Sequence, residues 1–308
     1  MRALQTIKAS ARLAAYRSFT TARLYNRALS AWEDRAKRPP IVVYQMGKVG
    51  SQAVVQGLER TLGRPVFHIH FLTPENLAWA EETYRTHWDR RHDPDHVWDS
   101  YHLQRRLARD RGACRWKVIT LVRDPVARNL SSFFQVAERR FGLDLGRLGS
   151  AVEREATWME LTDAFLDRFD EHDVPDRWFD DELRTALGVD VYEAPFPARG
   201  WSLHASSAAD VLVLQLERLH ETAKEAFPAH LGVPVLPLAP VNVGGSKDYG
   251  RLYERFISEI RLPKAYLDRA YASRYAKHFY TPIEREELAR RWAGGSERRP
   301  SREPASPR

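Results

Sequence analysis

Four short apolar runs, each followed by a stretch with helical periodicity, constrain this chain more than any other feature. IVVYQ (41–45) precedes SQAVVQGLERTL (51–62), and VFHIHFL (66–72) precedes two helical stretches over roughly 74–112. KVITLVR (117–123) precedes PVARNLSSFFQVAERR (125–140), and VLVLQLE (211–217) precedes LHETAKEAF. Runs this short, apolar without alternation, suit strands buried on both faces. The intervening helices supply the crossovers that parallel strands require. The expected fold class is α/β, three αβα layers around a central parallel sheet.

Two flanking segments depart from that rhythm. In residues 1–38, Leu4, Ile7, Ala11, Ala14, Ser18, Ala22, Tyr25, Leu29 and Trp32 recur at steps of three and four. This is an N-terminal amphipathic helix with a weak apolar stripe, and Arg2, Lys8, Arg12, Arg23 and Arg27 fall to one side of it. Peripheral contact of residues 1–32 with an anionic membrane surface is one reading. Packing on its own domain or on a second subunit is the other. Arg38-Pro39-Pro40 closes the segment, so the main domain is expected over 39–293. Within it, 142–208 reads as a mostly helical, aromatic-rich cap insertion with Trp158, Phe165, Trp178, Phe179 and Trp201. The tail 294–308, rich in Arg, Ser and Pro, is expected to be disordered.

Charge and cysteine content narrow the partners. The net charge is +7, but residues 1–38 hold nine Lys or Arg against two acids, and residues 294–308 hold four against two. The body between is close to neutral, which argues against a broad nucleic-acid-binding face. No run approaches the ~18 apolar residues of a membrane span, and the N-terminus lacks the continuous apolar core of a secretory signal. One cysteine, Cys114, fits a reducing compartment. A cytoplasmic protein is expected, at the inner membrane surface if the N-terminal helix binds there.

The loop after the first strand, Gly47-Lys48-Val49-Gly50-Ser51, looks like a phosphate loop without the Walker spacing, because Lys48 is not directly followed by a hydroxyl residue. It opens a helix at the carboxyl edge of a strand, where open α/β sheets bind ligands. Gly47 and Gly50 allow close approach of an anion to the backbone, Ser51 or Gln52 adds a donor, and Lys48 adds a charge. The fold is thus P-loop-like. An ordinary βα turn with a surface lysine is the structural alternative. The strand KVITLVR ends in Arg123, where a magnesium-dependent phosphoryl transferase would place an acid. Asp124 before Pro125 reads as an N-cap. Ser131 follows Arg123 by eight residues, so two anionic ends of one nucleotide, and no metal, suit this layout.

QMGKVGS followed by VRDPVARNLSSFF resembles the sulfotransferase family that uses 3′-phosphoadenosine 5′-phosphosulfate. The first matches that family's 5′-phosphosulfate loop and the second its 3′-phosphate motif. R-D-P-x-x-R-x-x-S is closer to the carbohydrate sulfotransferases, and WFDDELRTALGVDVYEAPF and NVGGSKDYGRLYERF resemble bacterial capsular-polysaccharide synthesis sulfotransferases. The resemblance runs over about residues 40–292. It implies that Lys48 contacts the oxygen bridging sulfate and 5′-phosphate, that Gly50, Ser51 and Gln52 cradle the 5′-phosphate with Gly47 and Val49 completing the loop, and that Arg123 and Ser131 hold the 3′-phosphate. Gln52 departs from the family's usual Thr or Ser. Arg128 either faces the ligand or is an exposed helix arginine. The loop Gly244-Gly245-Ser246-Lys247 closes over the nucleotide or is a plain turn.

Sulfuryl transfer to a hydroxyl needs a base. His68 and His70 in FHIHFL share a strand face at the loop's edge of the sheet, and their spacing resembles the H-x-H of glycosaminoglycan uronyl 2-O-sulfotransferases. His70, nearer the carboxyl end, is the preferred base, with His68 and Glu75 as alternatives and packed structural histidines as the bland reading. His87, His92, His96 and His102 lie among acids in what reads as a solvated helix–loop–helix rather than a metal site. The expected enzyme moves a sulfuryl group to a hydroxyl of a carbohydrate or polysaccharide without a metal. A nucleotide or sugar kinase with a degenerate loop, and a non-catalytic nucleotide-binding protein, are the rivals. Acceptor identity and oligomeric state are left open by the sequence.

Overall fold

The computed structural model describes residues 15, 18–33, 39–86, 95–110, 113–150, 155–234, 238 and 249–294. In chain order its main elements are α1 (Phe19–Glu33), β1 (Ile41–Tyr44), α2 (Ser51–Leu62), β2 (Phe67–Ile69), α3 (Pro74–Thr86), α4 (Asp95–Asp110), β3 (Trp116–Val122) and α5 (Pro125–Phe141). After shorter helical turns come β4 (Trp201–Ala205), β5 (Ala209–Gln215), α6 (Leu219–Leu231), α7 (Gly250–Glu259), α8 (Lys264–Ala272) and α9 (Pro282–Ala293). The chain divides into two compact units, Met1–Arg123 with Glu171–Val243, and Asp124–Asp170 with Gly244–Arg308.

The first unit holds a five-stranded sheet in the order β2-β1-β3-β5-β4. The four strands legible as apolar runs pair in parallel, and β4 closes one edge antiparallel to β5. Ile41, Val42, Val43 and Tyr44 of β1 are all buried, as are Val118, Ile119, Leu121 and Val122 of β3, which accounts for their unbroken apolarity. From β1 the chain turns outward to β2 on one side, then returns to β3 on the other. The carboxyl ends of β1 and β3 therefore flank a topological switch point, the crevice where such sheets bind ligands. The loop at 46–50 and Arg123 both leave the sheet there.

Two expectations change in detail. The segment 142–208 falls partly in each unit, and its last part is the strand β4 rather than helix. WSLHA carries no β-branched residue and no apolar run. Its hairpin turn is held by Ser206 Oγ, which accepts from the amides of Ala208 and Ala209 at 3.1 and 3.2 Å, without Gly or Asn. The usual hairpin signals are missing from its sequence. β2 is also shorter than expected, ending at Ile69, so His70 sits just beyond it.

Over its described part, α1 packs on its own unit. Ala22 is fully buried with Leu77, Ala80, Val97 and Trp98, with Phe19 and Tyr25 against the same cluster, and Arg23 pairs with Glu81 at 2.9 Å. The remainder of 1–38 and the tail from 295 lie outside the described residues. Among the described residues no helix is long and apolar enough to cross a membrane.

The second unit is organised by α5. Val126, Leu130, Phe133, Phe134 and Ala137 form one helical stripe and pack against Phe165, Phe169, Phe256 and Trp292. Asp124 caps α5 as the sequence indicates, accepting from the Val126 amide at 3.1 Å. The same buried carboxylate accepts from Tyr271 Oη at 2.9 Å and Trp292 Nε1 at 2.8 Å. These donors offset its desolvation, and burial beside Asp124 pushes the Tyr271 phenol well above its ordinary range.

Candidate active site at the β1–α2 loop

Gly47, Lys48 and Gly50 all adopt left-handed backbone, with φ of 84°, 66° and 74°. Among the described residues Lys48 is the only non-glycine with positive φ, a conformation that costs an L-residue about 1–2 kcal/mol. Arg123 holds it in place, its Nη1 donating to the Lys48 carbonyl at 2.7 Å. Gly50 is the N-cap of α2 and supplies no side-chain cap, so the first-turn amides are not taken by one. A Cβ at Gly50 would lie 2.7 Å from Leu216 Cδ1, whereas one at Gly47 would meet nothing within 4 Å. Gly50 is thus required by packing and φ together, and Gly47 by φ alone.

The buried amide of Gln45, the residue after β1, organises the histidines. Its Oε1 accepts from the Gly47 amide. That contact turns Nε2 toward Ser51 Oγ at 3.1 Å, His68 Nε2 at 2.9 Å and His70 Nδ1 at 3.1 Å. His70 Nδ1 also lies 2.9 Å from the Gln45 carbonyl. His70 Nδ1 faces a carbonyl, which can only accept, so Nδ1–H donates to the Gln45 carbonyl, while Gln45 Nε2 donates to His68 Nε2 and Ser51 Oγ. The basic lone pair of His70 then sits on Nε2. His68 Nε2 is also 2.9 Å from Ser51 Oγ, and its Nδ1 is 3.3 Å from Gln52 Nε2. Burial, reinforced by the neighbouring His70, lowers its pKa to about 3. His68 is a neutral imidazole inside the loop's hydrogen-bond network.

His96, at the start of α4, packs its ring 5.0 Å from that of His70 and 5.2 Å from Tyr84. Burial, then the neighbouring imidazoles of His70 and His68, hold its pKa well below the ordinary value. His102 is buried too. The expectation of a solvated segment is therefore corrected for these two histidines: α4 buries His102 and half-buries His96 against His70 and Tyr84. His87 and His92 lie outside the described residues. Among the described residues no group of three His, Cys, Asp or Glu is placed to hold a metal ion.

A segment far along the chain fixes the turn that carries His70. Trp178 Nε1 donates to the His70 carbonyl at 3.0 Å. Glu182, on a π-helical turn (Phe179–Arg184), is buried. It accepts from the Leu72 and Thr73 amides at 2.7 and 3.2 Å, Thr73 Oγ1 at 2.7 Å and Asn76 Nδ2 at 2.6 Å, and from the Tyr44 hydroxyl. Burial first, then Glu182, raises the Tyr44 phenol well above its ordinary pKa. One carboxylate thus ties the end of β1 to the start of α3.

The structure brings together Gly47, Lys48, Val49, Gly50, Ser51, Gln52, His68, His70 and Arg123 within the first unit. Ser131 is half-buried on α5 and belongs to the second. Arg128, left open between two readings, is buried, with Nη1 donating to Asn129 Oδ1 at 3.0 Å. Glu75 is exposed. The loop 244–247 lies outside the described residues. Gln45 and Glu182 were not singled out from sequence, Trp178 was named only among the cap aromatics, and His96 only within the polar segment. Gln45 alone left a signal, a polar amide ending a fully apolar strand. No family model matches the chain, and no curated protein or solved structure matches it.

Proposed function

We propose that the protein is a sulfotransferase that moves a sulfuryl group from 3′-phosphoadenosine 5′-phosphosulfate to a hydroxyl, of a carbohydrate or polysaccharide, by metal-independent in-line transfer. The carrying observation is the strained Lys48 loop, pinned by Arg123 and joined through Gln45 to the His68–His70 pair. Left-handed residues ahead of an uncapped helix start turn amides toward an anion. Arg123, whose Nη1 donates to the Lys48 carbonyl, is the group we assign to the donor's 3′-phosphate, as the resemblance implies.

In this reading His70 Nε2 takes the acceptor's proton as the hydroxyl oxygen bonds to sulfur. The bond from sulfur to the bridging oxygen breaks, and Lys48 stabilises the negative charge left on the departing 5′-phosphate. His68, neutral and of low basicity, positions Ser51 and Gln52 rather than taking the proton. Gln45 fixes the His70 tautomer.

The test is calorimetric titration of the full chain with 3′-phosphoadenosine 5′-phosphate, with ADP as control, in EDTA. The expected result is binding of the first and not the second, weakened roughly tenfold or more in Arg123→Ala. Preference for ADP, or binding of either only once magnesium is added, would overturn the reading in favour of a kinase.

A further inference from the structure

β4 is an edge strand of the sheet, paired on one side only, with β5. The Ser206 amide donates to the Ala209 carbonyl at 2.8 Å, and the Gln215 amide to the Gly200 carbonyl at 3.0 Å. The register between these points is unbroken, from Trp201 opposite Leu214 to Ala205 opposite Asp210. The alternation of an antiparallel ladder therefore gives the backbone bonds of Ser202 and His204 to β5. It turns the amides and carbonyls of Trp201, Leu203 and Ala205 away from the sheet. Arg199 Nε donates to the Trp201 carbonyl at 3.2 Å and leaves that oxygen a second lone pair. Among the described residues no group bonds to the outward amide or carbonyl of Leu203 or Ala205. Both residues are exposed, Leu203 by 46%.

An open strand edge is a template for a further strand, and proteins commonly blunt it with a charge, a proline or a bulge. WSLHA has no Lys, Arg, Asp, Glu or Pro, and its register carries no bulge. The segment is also complementary to itself. Turned antiparallel about Leu203, a second copy sets Leu203 against Leu203, the large Trp201 against the small Ala205, and Ser202 against His204. The last two side chains already bond to each other within one strand, at 2.8 Å. Beyond the strand ends Gly200 meets Ser206 and Arg199 meets Ser207, so no like charges face each other.

We infer that β4 is an interface between two copies of this chain, which pair their β4 strands antiparallel about a two-fold axis at Leu203 and join their sheets edge to edge. The Leu203 amide and carbonyl of each copy bond to those of the other. The same exchange links Trp201 of each copy with Ala205 of its counterpart. A second copy, rather than an unrelated strand, is the partner because the side-chain pattern matches its own reverse along the whole strand. This interface does not depend on the reading of the β1–α2 loop.

The test is sedimentation velocity of the full chain over roughly a hundredfold range of concentration, for the parent, Leu203→Lys and Leu203→Glu. Leu203 is exposed, so either charge leaves folding intact, which thermal unfolding checks. The parent is expected to sediment as a dimer at the upper concentrations. Each variant alone sets like charges against each other on the axis, and its dimerisation should weaken about tenfold or more. An equimolar mixture of the two variants sets Lys against Glu and should recover the dimer, a result that only pairing centred on this residue gives. A parent that stays monomeric throughout, a dimer indifferent to both substitutions, or a mixture that remains monomeric would overturn the inference.

Discussion

His68 gives the chain a pH-dependent stability whose size follows from its surroundings. Unfolded, the ring titrates near its ordinary 6.5; folded, burial and the neighbouring His70 hold it near 3. Between these values the unfolded state binds the additional proton. The His68 contribution is therefore fully present above 6.5 and is lost progressively as pH falls toward 3. At about pH 5 the unfolded ring is largely protonated and the folded ring is not, which amounts to about 2 kcal/mol lost relative to about pH 8. Glutamine at this position keeps a polar group for Gln45 and Ser51 but does not titrate. Urea unfolding of the parent and His68→Gln at both pH values isolates the effect. His204 and His230, whose pKa values are also lowered by burial, act with the same sign in both proteins and cancel in the comparison. The parent is expected to lose about 2 kcal/mol more than the variant on acidification. Parallel losses would refute the assignment of a partly buried, neutral His68.

The loop makes a separable prediction. Lys48→Gly relieves the left-handed strain but loosens the unfolded chain, so stability should change by no more than about 1 kcal/mol, while the proposed sulfuryl transfer should fall by roughly a hundredfold or more; thermal unfolding and a transfer assay check the two halves. Gly50→Ala meets both a positive φ and Leu216, and should cost about 1–3 kcal/mol in urea unfolding; a neutral result would contradict the close packing there. Glu182→Gln turns an amide N–H₂ toward donors that now meet only oxygen, and a loss on the order of 3 kcal/mol is expected. Asp124→Asn, which weakens the α5 cap and leaves Tyr271 or Trp292 poorly matched, should cost about 1–3 kcal/mol, read by the same unfolding assay.

The sheet was legible because its signal is local. A parallel strand buried on both faces must be apolar throughout, and β1, β3 and β5 say so within seven residues each. Helix α2 was legible to its ends for a similar reason, since Gly50 and Gly63 bracket its apolar face. So were the loop glycines and Asp124, whose roles depend on immediate neighbours. Strand β4 was not, because an edge strand needs only pairing partners, and WSLHA advertises none.

Chemistry at the loop is a different matter. That His68 and His70 share an edge follows from spacing, but their unequal roles come from Gln45, which engages both rings across adjacent strands. Glu182 and Trp178 reach the His70 turn from more than a hundred residues away, so no local pattern encodes that clamp. His96 reads as one of several polar residues in an acidic stretch until α4 packs it against His70. Sequence alone determined which backbone could form, because dihedral preference and burial on a strand are properties of a few consecutive residues. The tertiary structure decided which side chains share protons and charges, because those depend on distances that only the packed chain sets.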